Sequence, residues 1–181
     1  MKLTIIGLGN MGQAILSGIL KQDIIKAKNI TAADKKFADP DFKKQEQLAE
    51  VTITDDNQKA AREADYIILA VKPQTIKYVL EEIKNEAASK IIISIAAGIK
   101  TELLAQYFGT DAKIVRVMPN TPALIAEGMS ALYYSSKVEA DEKAFIEKIF
   151  KALGKTAVVK EEEMDAVTGL SGSGPAFVYL F

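Results

Sequence analysis

The run Ile5-Ile6-Gly7-Leu8-Gly9-Asn10-Met11-Gly12 restricts the fold more than any other part of this 181-residue chain. Residues 2–7 read as a buried strand, the glycines follow at once, and an apolar-periodic helix begins near Met11. Gly7 allows a tight strand-to-helix turn, Gly9 leaves bare backbone for a pyrophosphate, and Gly12 lets the helix lie close on the sheet. The N-terminus of that helix offers unpaired N–H groups and a partial positive charge to phosphate. Glycines at this spacing are common. Their position between a strand and a helix is what marks a dinucleotide-binding turn.

The rest of the chain repeats the strand–helix alternation. Strand-like runs fall at 3–7, 30–33, 51–54, 66–71, 91–95, 114–117, 130–134 and 156–159. Ile76, Val79, Leu80 and Ile83 keep helical spacing, as do Phe145, Ile149 and Phe150, and Gly154 stands where the second helix should stop. Repeated βα units predict an α/β, Rossmann-like, doubly wound and mostly parallel sheet. Ser171-Gly172-Ser173-Gly174-Pro175 reads as a loop leading into a helix. The apolar residues 176–181 then read as the start of a longer buried helix, the alternative being a last helix tucked against the sheet, and 177–181 as a surface for self-association.

Composition narrows the chemistry. The 49% hydrophobic and 26% charged content suits a globular domain, and a net charge of −1 gives no bulk attraction to nucleic acid or membrane. No apolar run is long enough to span a bilayer, and the chain enters a strand directly, without the pattern of a signal peptide. Cysteine is absent, which excludes disulfides and thiolate catalysis and fits a cytoplasmic protein. Histidine is absent too, so no imidazole carries a substrate proton, and no metal site is expected. Any catalysis rests on Lys, Tyr, Ser or Thr, carboxylates, backbone, or a substrate that arrives protonated.

Ligands of such sheets bind beyond the carboxyl ends of the strands. After the second strand comes Ala33-Asp34-Lys35-Lys36. A carboxylate there favours NAD and repels a 2′-phosphate, whereas Lys35 and Lys36 attract that phosphate or simply face solvent. After the fourth comes Ala70-Val71-Lys72-Pro73-Gln74, a lysine pinned by proline at a strand end; a plain surface lysine is the alternative. Ser94-Ile95-Ala96-Ala97-Gly98 offers small side chains against which a flat ring can lie, and Met118-Pro119-Asn120-Thr121-Pro122 presents an amide and a hydroxyl on a stiff loop. Glu161-Glu162-Glu163 reads as a solvated face or helix start, and Tyr133-Tyr134 as edge-strand packing.

These motifs, with Arg116-Val117-Met118-Pro119-Asn120-Thr121-Pro122-Ala123 and the run from Met164 to Ala176, resemble the pyrroline-5-carboxylate reductase family in the same order along the chain. The resemblance implies hydride transfer from NADPH or NADH to 1-pyrroline-5-carboxylate, giving L-proline as the last step of proline biosynthesis. It implies that Ile6, Gly7, Leu8, Gly9, Asn10, Met11 and Gly12 cradle the pyrophosphate. Asp34 and Lys35 would sit by the adenosine ribose and Asn57 by the adenine. Ala70, Val71, Lys72, Pro73, Ile95, Ala96 and Ala97 would line the ribose and nicotinamide. Lys72, Asn120 and Thr121 are the candidates for orienting nicotinamide and substrate. A cyclic imine protonates readily in water, so no histidine is needed. Relatives often carry Ser, Asn or Arg in place of Asp34, so NADPH against NADH stays open.

The resemblance also implies two parts: an NAD(P)-binding domain over 1–160, and over 161–181 the start of a truncated C-terminal helical domain that builds a homodimer or larger homo-oligomer and holds the substrate carboxylate. On this reading the chain alone binds coenzyme but reduces substrate poorly. A small-molecule substrate is expected, with no nucleic acid or membrane partner. The alternatives are another short reductase, of the hydroxyisobutyrate dehydrogenase or deazaflavin-dependent NADP reductase type, and a non-catalytic NAD(P)-sensing module.

Overall fold

The computed structural model describes residues 1–38 and 50–174, together with Phe177. All eight expected strands form: β1 (Leu3–Ile6), β2 (Ile30–Ala33), β3 (Thr52–Thr54), β4 (Tyr66–Leu69), β5 (Ile91–Ser94), β6 (Lys113–Met118), β7 (Gly128–Tyr134) and β8 (Gly154–Val158). They make one sheet in the order β3-β2-β1-β4-β5-β6-β7-β8. Every neighbouring pair is parallel except β6 and β7, where Val117 faces Leu132. The helices are α1 (Asn10–Lys21), α2 (Asn57–Glu63), α3 (Ile76–Ala87), α4 (Thr101–Phe108), α5 (Ala140–Lys151) and α6 (Met164–Val167). The chain runs outward from β1 to β3, then returns to lay β4 on the other side of β1. That reversal opens a crevice at the carboxyl ends of β1 and β4.

Strand periodicity builds two cores, one on each face of the sheet. Leu3 and Ile5, Tyr66 and Ile68, and Ile91 and Ile93 pack with Ile15, Leu16 and Ile19 of α1 and Ile146, Ile149 and Phe150 of α5. The intervening Ile6, Ile67, Leu69 and Ile92 pack with Ala60 and Ala61 of α2, with Ile76, Val79, Leu80 and Ile83 of α3, and with Leu104 and Phe108 of α4. Because both faces are covered, β4 and β5 are nearly continuous apolar runs rather than alternating ones. Each large side chain so buried contributes about 1.5–3 kcal/mol.

The sheet stops slightly short of the expected bounds. Gly7, Ala70, Val71 and Ile95, read as strand ends, lie just beyond β1, β4 and β5. The last ladder bonds, Gly7 N–H to Ala33 O (2.8 Å), Ala70 N–H to Ile6 O (2.8 Å) and Ile95 N–H to Leu69 O (3.1 Å), release the chain into the loops that edge the crevice. Gly154 also departs from expectation. Lys151 ends α5, and Gly154 opens β8, where a Cβ would overlap the Gly128 backbone.

Two further expectations change. Ser171 and Gly172 are not loop but belong to a π-helical turn (Thr168–Gly172) that continues α6, held by Thr168 Oγ1 donating to Met164 O (2.8 Å) and Ser173 N–H to Thr168 O (2.9 Å). The Glu161–Glu163 turn does start a helical segment, yet Glu161 is not a solvated face: it accepts from Thr101 and Arg116. Of the predicted apolar helix, 175, 176 and 178–181 lie outside the described residues; Phe177 is exposed. Among the described residues no helix is long and apolar enough to cross a membrane.

Candidate functional site

The glycine turn is fixed by sterics. Gly7 has φ +97°, a conformation that side chains resist, and a Cβ on it would press on the Ala70 carbonyl. A Cβ on Gly12 would overlap the Gly7 carbonyl oxygen, so α1 can begin this close to β1 only with glycine there. Around a Cβ placed on Gly9, by contrast, there is no atom within 4 Å. That open space lies at the start of α1, whose N-terminus has neither a side-chain cap nor an acidic residue in its first turn. Backbone N–H groups and the positive helix end are therefore left for an anion.

A cleft opens on each side of this turn, and Val71 borders both. The first, about 260 Å³, is lined by Ile6, Gly7, Ala33, Asp34, Lys35 and Asn57, and across from them by Val71, Thr75, Tyr78, Val79 and Glu82. The Asp34 carboxylate is held twice by backbone: Oδ2 accepts from Leu8 N–H (2.7 Å) and Oδ1 from Lys36 N–H (3.0 Å). Asn57, only 4% exposed at the start of α2, donates from Nδ2 to Glu82 Oε2 (2.9 Å). Tyr78 lies on the rim, highly exposed.

The second cleft, about 570 Å³, is lined by Gly9, Asn10, Met11 and Lys36, by Ala70, Val71, Lys72 and Pro73, by Ile95, Ala96 and Ala97, and by Met118 and Pro119. Lys72 is exposed, and its carbonyl accepts from Thr75 Oγ1 (2.9 Å), which shapes the turn opened by Pro73. The Ser94 hydroxyl, buried at the end of β5, accepts from Ala96 N–H (3.3 Å) and sets the small-residue wall. Two adjoining clefts of these sizes match the pockets that proteins offer to nucleotide-sized ligands.

Of the residues singled out from sequence, Ile6, Gly7, Asp34, Lys35, Asn57 and Val71 meet in the first cleft. Gly9, Asn10, Met11, Ala70, Val71, Lys72, Pro73, Ile95, Ala96 and Ala97 meet in the second. Leu8 and Gly12 line neither. Both are buried, and they support the turn through the Leu8–Asp34 bond and the α1 contact. Asn120 and Thr121 also lie outside both linings. The Asn120 amide ties its loop down, Oδ1 accepting from Met129 N–H (2.9 Å) and Nδ2 donating to Ser171 Oγ (3.2 Å), while Thr121 is exposed.

Sequence reading missed Thr75, Tyr78, Val79 and Glu82. The available signal was Tyr78, a large aromatic off the buried stripe of α3, with Glu82 one turn further along the same face. It also missed a charge cluster around a buried arginine. Arg116, 3% exposed on β6, donates from Nη1 to Glu161 Oε1 (2.9 Å) and lies 3.8 Å from Asp165. Glu161 also accepts from Thr101 N–H (2.7 Å) and Thr101 Oγ1 (2.6 Å). Burial, the largest single influence, pushes the Glu161 carboxyl up, but the bonds from Thr101 and Arg116 together outweigh it and hold the group below the usual range.

With this geometry in view, likeness to known proteins is informative. Residues 2–98, just over half of the chain, match the family model described as NADP oxidoreductase coenzyme F420-dependent. The pyrroline-5-carboxylate reductase of Methanosarcina acetivorans is 40% identical over 179 residues, 98% of this chain and 66% of that protein. That of Kluyveromyces lactis is 38% identical, covering 98% of this chain and 67% of that protein. The crystal structure of Plasmodium falciparum pyrroline carboxylate reductase with NADP bound aligns over 100% of this chain and 66% of its own, with a TM-score of 0.85 and 36% identity. The chain thus spans about two thirds of the length of the relatives it matches. Their likeness runs through β6 and the segment from Met164 onward, beyond the residues that the family model matches. The chain belongs to the pyrroline-5-carboxylate reductase family.

Proposed function

We propose that these residues form the coenzyme-binding portion of an enzyme that reduces 1-pyrroline-5-carboxylate to L-proline with NADH or NADPH, the closing step of proline biosynthesis. One observation carries the reading: two clefts meet at the β1–β4 reversal with the glycine turn between them. The residues fit such a coenzyme. The space over Gly9 admits a diphosphate, the first cleft suits adenosine, and the second offers Ala70, Ala96 and Ala97 to a flat ring. When bound, the reduced nicotinamide supplies the hydride.

The chain's own groups then hold and orient. Lys36 and Lys72, both basic, line the second cleft, where phosphate and a carboxylate-bearing imine gather. Lys72, at the mouth of the second cleft, orients ring and substrate. Asn120 acts one step back, fixing the Met118-Pro119 wall through Met129 and Ser171. Since a cyclic imine is protonated by water, positioning is the main requirement, and it can be worth ~7–11 kcal/mol.

On the same reading, residues 1–160 are the NAD(P)-binding domain and 161–181 begin a C-terminal helical dimerisation region. The exposed Leu170 and Phe177 support a homodimer or larger oligomer, and the absence of cysteine supports a cytoplasmic setting.

The test joins residues 1–174 to the remaining third of the Methanosarcina acetivorans relative and assays coenzyme oxidation against proline formation. Proline should appear, and Lys72→Met should lower turnover. A folded chimera that binds coenzyme but makes no proline supports the non-catalytic sensing module instead.

A further inference from the structure

We propose that this chain selects NADH over NADPH, with Asp34 and Glu82 as the specificity-determining residues; the inference rests on the dinucleotide reading above. The two clefts differ in charge. Among the charged side chains lining the first are Asp34, Glu82 and Lys35, two carboxylates against one ammonium. The second is lined by Lys36 and Lys72 and by no carboxylate. Positive charge therefore lies with the diphosphate and the substrate, and net negative charge lies where the adenosine binds.

The neighbouring lysines do not reverse this. Lys36 lines the second cleft and not the first, while its backbone N–H holds Asp34 Oδ1 (3.0 Å). Lys35 alone brings a cation to the first cleft. Nor is Asp34 a side chain that swings aside. Leu8 N–H, part of the glycine turn itself, binds Oδ2 at 2.7 Å, so rotating the carboxylate away breaks a bond that shapes the pyrophosphate loop. Glu82 is held in turn by Asn57 at 2.9 Å. An acid at the end of the second strand is placed to accept from ribose hydroxyls. Its remaining lone pairs suit a vicinal diol and repel a phosphate dianion.

Calorimetric titration of the 181-residue chain with ADP-ribose and with 2′-phospho-ADP-ribose tests this without any turnover. ADP-ribose should bind at least about tenfold more tightly, and NADH over NADPH likewise. Asp34→Asn keeps an oxygen for Leu8 N–H and should shrink or invert the ratio. Glu82→Gln leaves Asp34 and its bonds untouched and should shrink it about two- to threefold. Circular dichroism checks that both variants fold. Equal or tighter binding of the phosphorylated ligand by the wild type overturns the selectivity and leaves the dinucleotide reading standing. Failure of both ligands to bind overturns the two together.

Discussion

Gly9 and Gly12 lie three residues apart in one turn, and replacing each with alanine should fail for a different reason. At Gly12 the new methyl overlaps the Gly7 carbonyl, so backbone must move; Gly12→Ala should cost about 2 kcal/mol or more, read as a lower melting temperature. At Gly9 the methyl enters open space, so Gly9→Ala should melt as the parent does yet bind coenzyme about tenfold more weakly, since it fills the phosphate seat. Equal melting loss in both variants would contradict this division. The glycines were legible because their spacing encodes a backbone shape. Gly12's packing role was legible from the same spacing, whereas that of Leu8 was not, because its N–H meets Asp34 only once the turn is folded. Tyr78 and Glu82 were hidden for another reason: they sit on the solvent side of α3, and only packing against α2 turns that side toward the cleft.

Elements were read well wherever burial dictates them. Runs such as Ile67-Ile68-Leu69 and Ile91-Ile92-Ile93 have few alternatives to central strands. Their ends were less legible, because Ala70, Val71 and Ile95 are as apolar as the strands they leave. The Arg116–Glu161 cluster was invisible because it joins β6, the start of α4 and the turn before α6 across 45 and 60 residues of chain. It yields a prediction. Glu161→Gln removes the nearer of the two carboxylates facing buried Arg116, leaving only Asp165 at 3.8 Å, and should cost about 2–3 kcal/mol at neutral pH, discounted because Glu161 is partly exposed. The Glu161 carboxyl is held below its ordinary 4.5, so its contribution is whole above that value and fades as pH falls through the depressed one. Urea unfolding of parent and variant should converge at low pH; a constant difference would contradict the linkage. At the start of α2, Asp56 Oδ1 accepts from Lys59 N–H (2.9 Å), so Asp56→Ala should cost about 1 kcal/mol, and the same urea measurement reads it.

At the scale of the molecule, the βα alternation forecast a doubly wound sheet, and the order found, with β1 beside β4, is what places every site segment on one rim. Alternation alone did not give that order, since strand adjacency depends on which helices cover which face. Nor did it forecast the antiparallel β6–β7 pair, which the short loop after Met118 enforces by turning the chain back. A third cleft, of about 330 Å³, lies between α1, residues 123–126 and the turn after α5 and carries none of the dinucleotide features. It provides the internal control. The most direct test is an amide-resolved NMR titration of the chain with NADH. Saturable shifts are expected at Gly9, Asn10 and Met11, at Asp34 and Lys35, at Val71 and Lys72, and at Ile95, Ala96 and Ala97. Shifts confined to Gly18, Lys21, Leu124 and Ile125 of the third cleft, or no shifts at all, would contradict the dinucleotide reading.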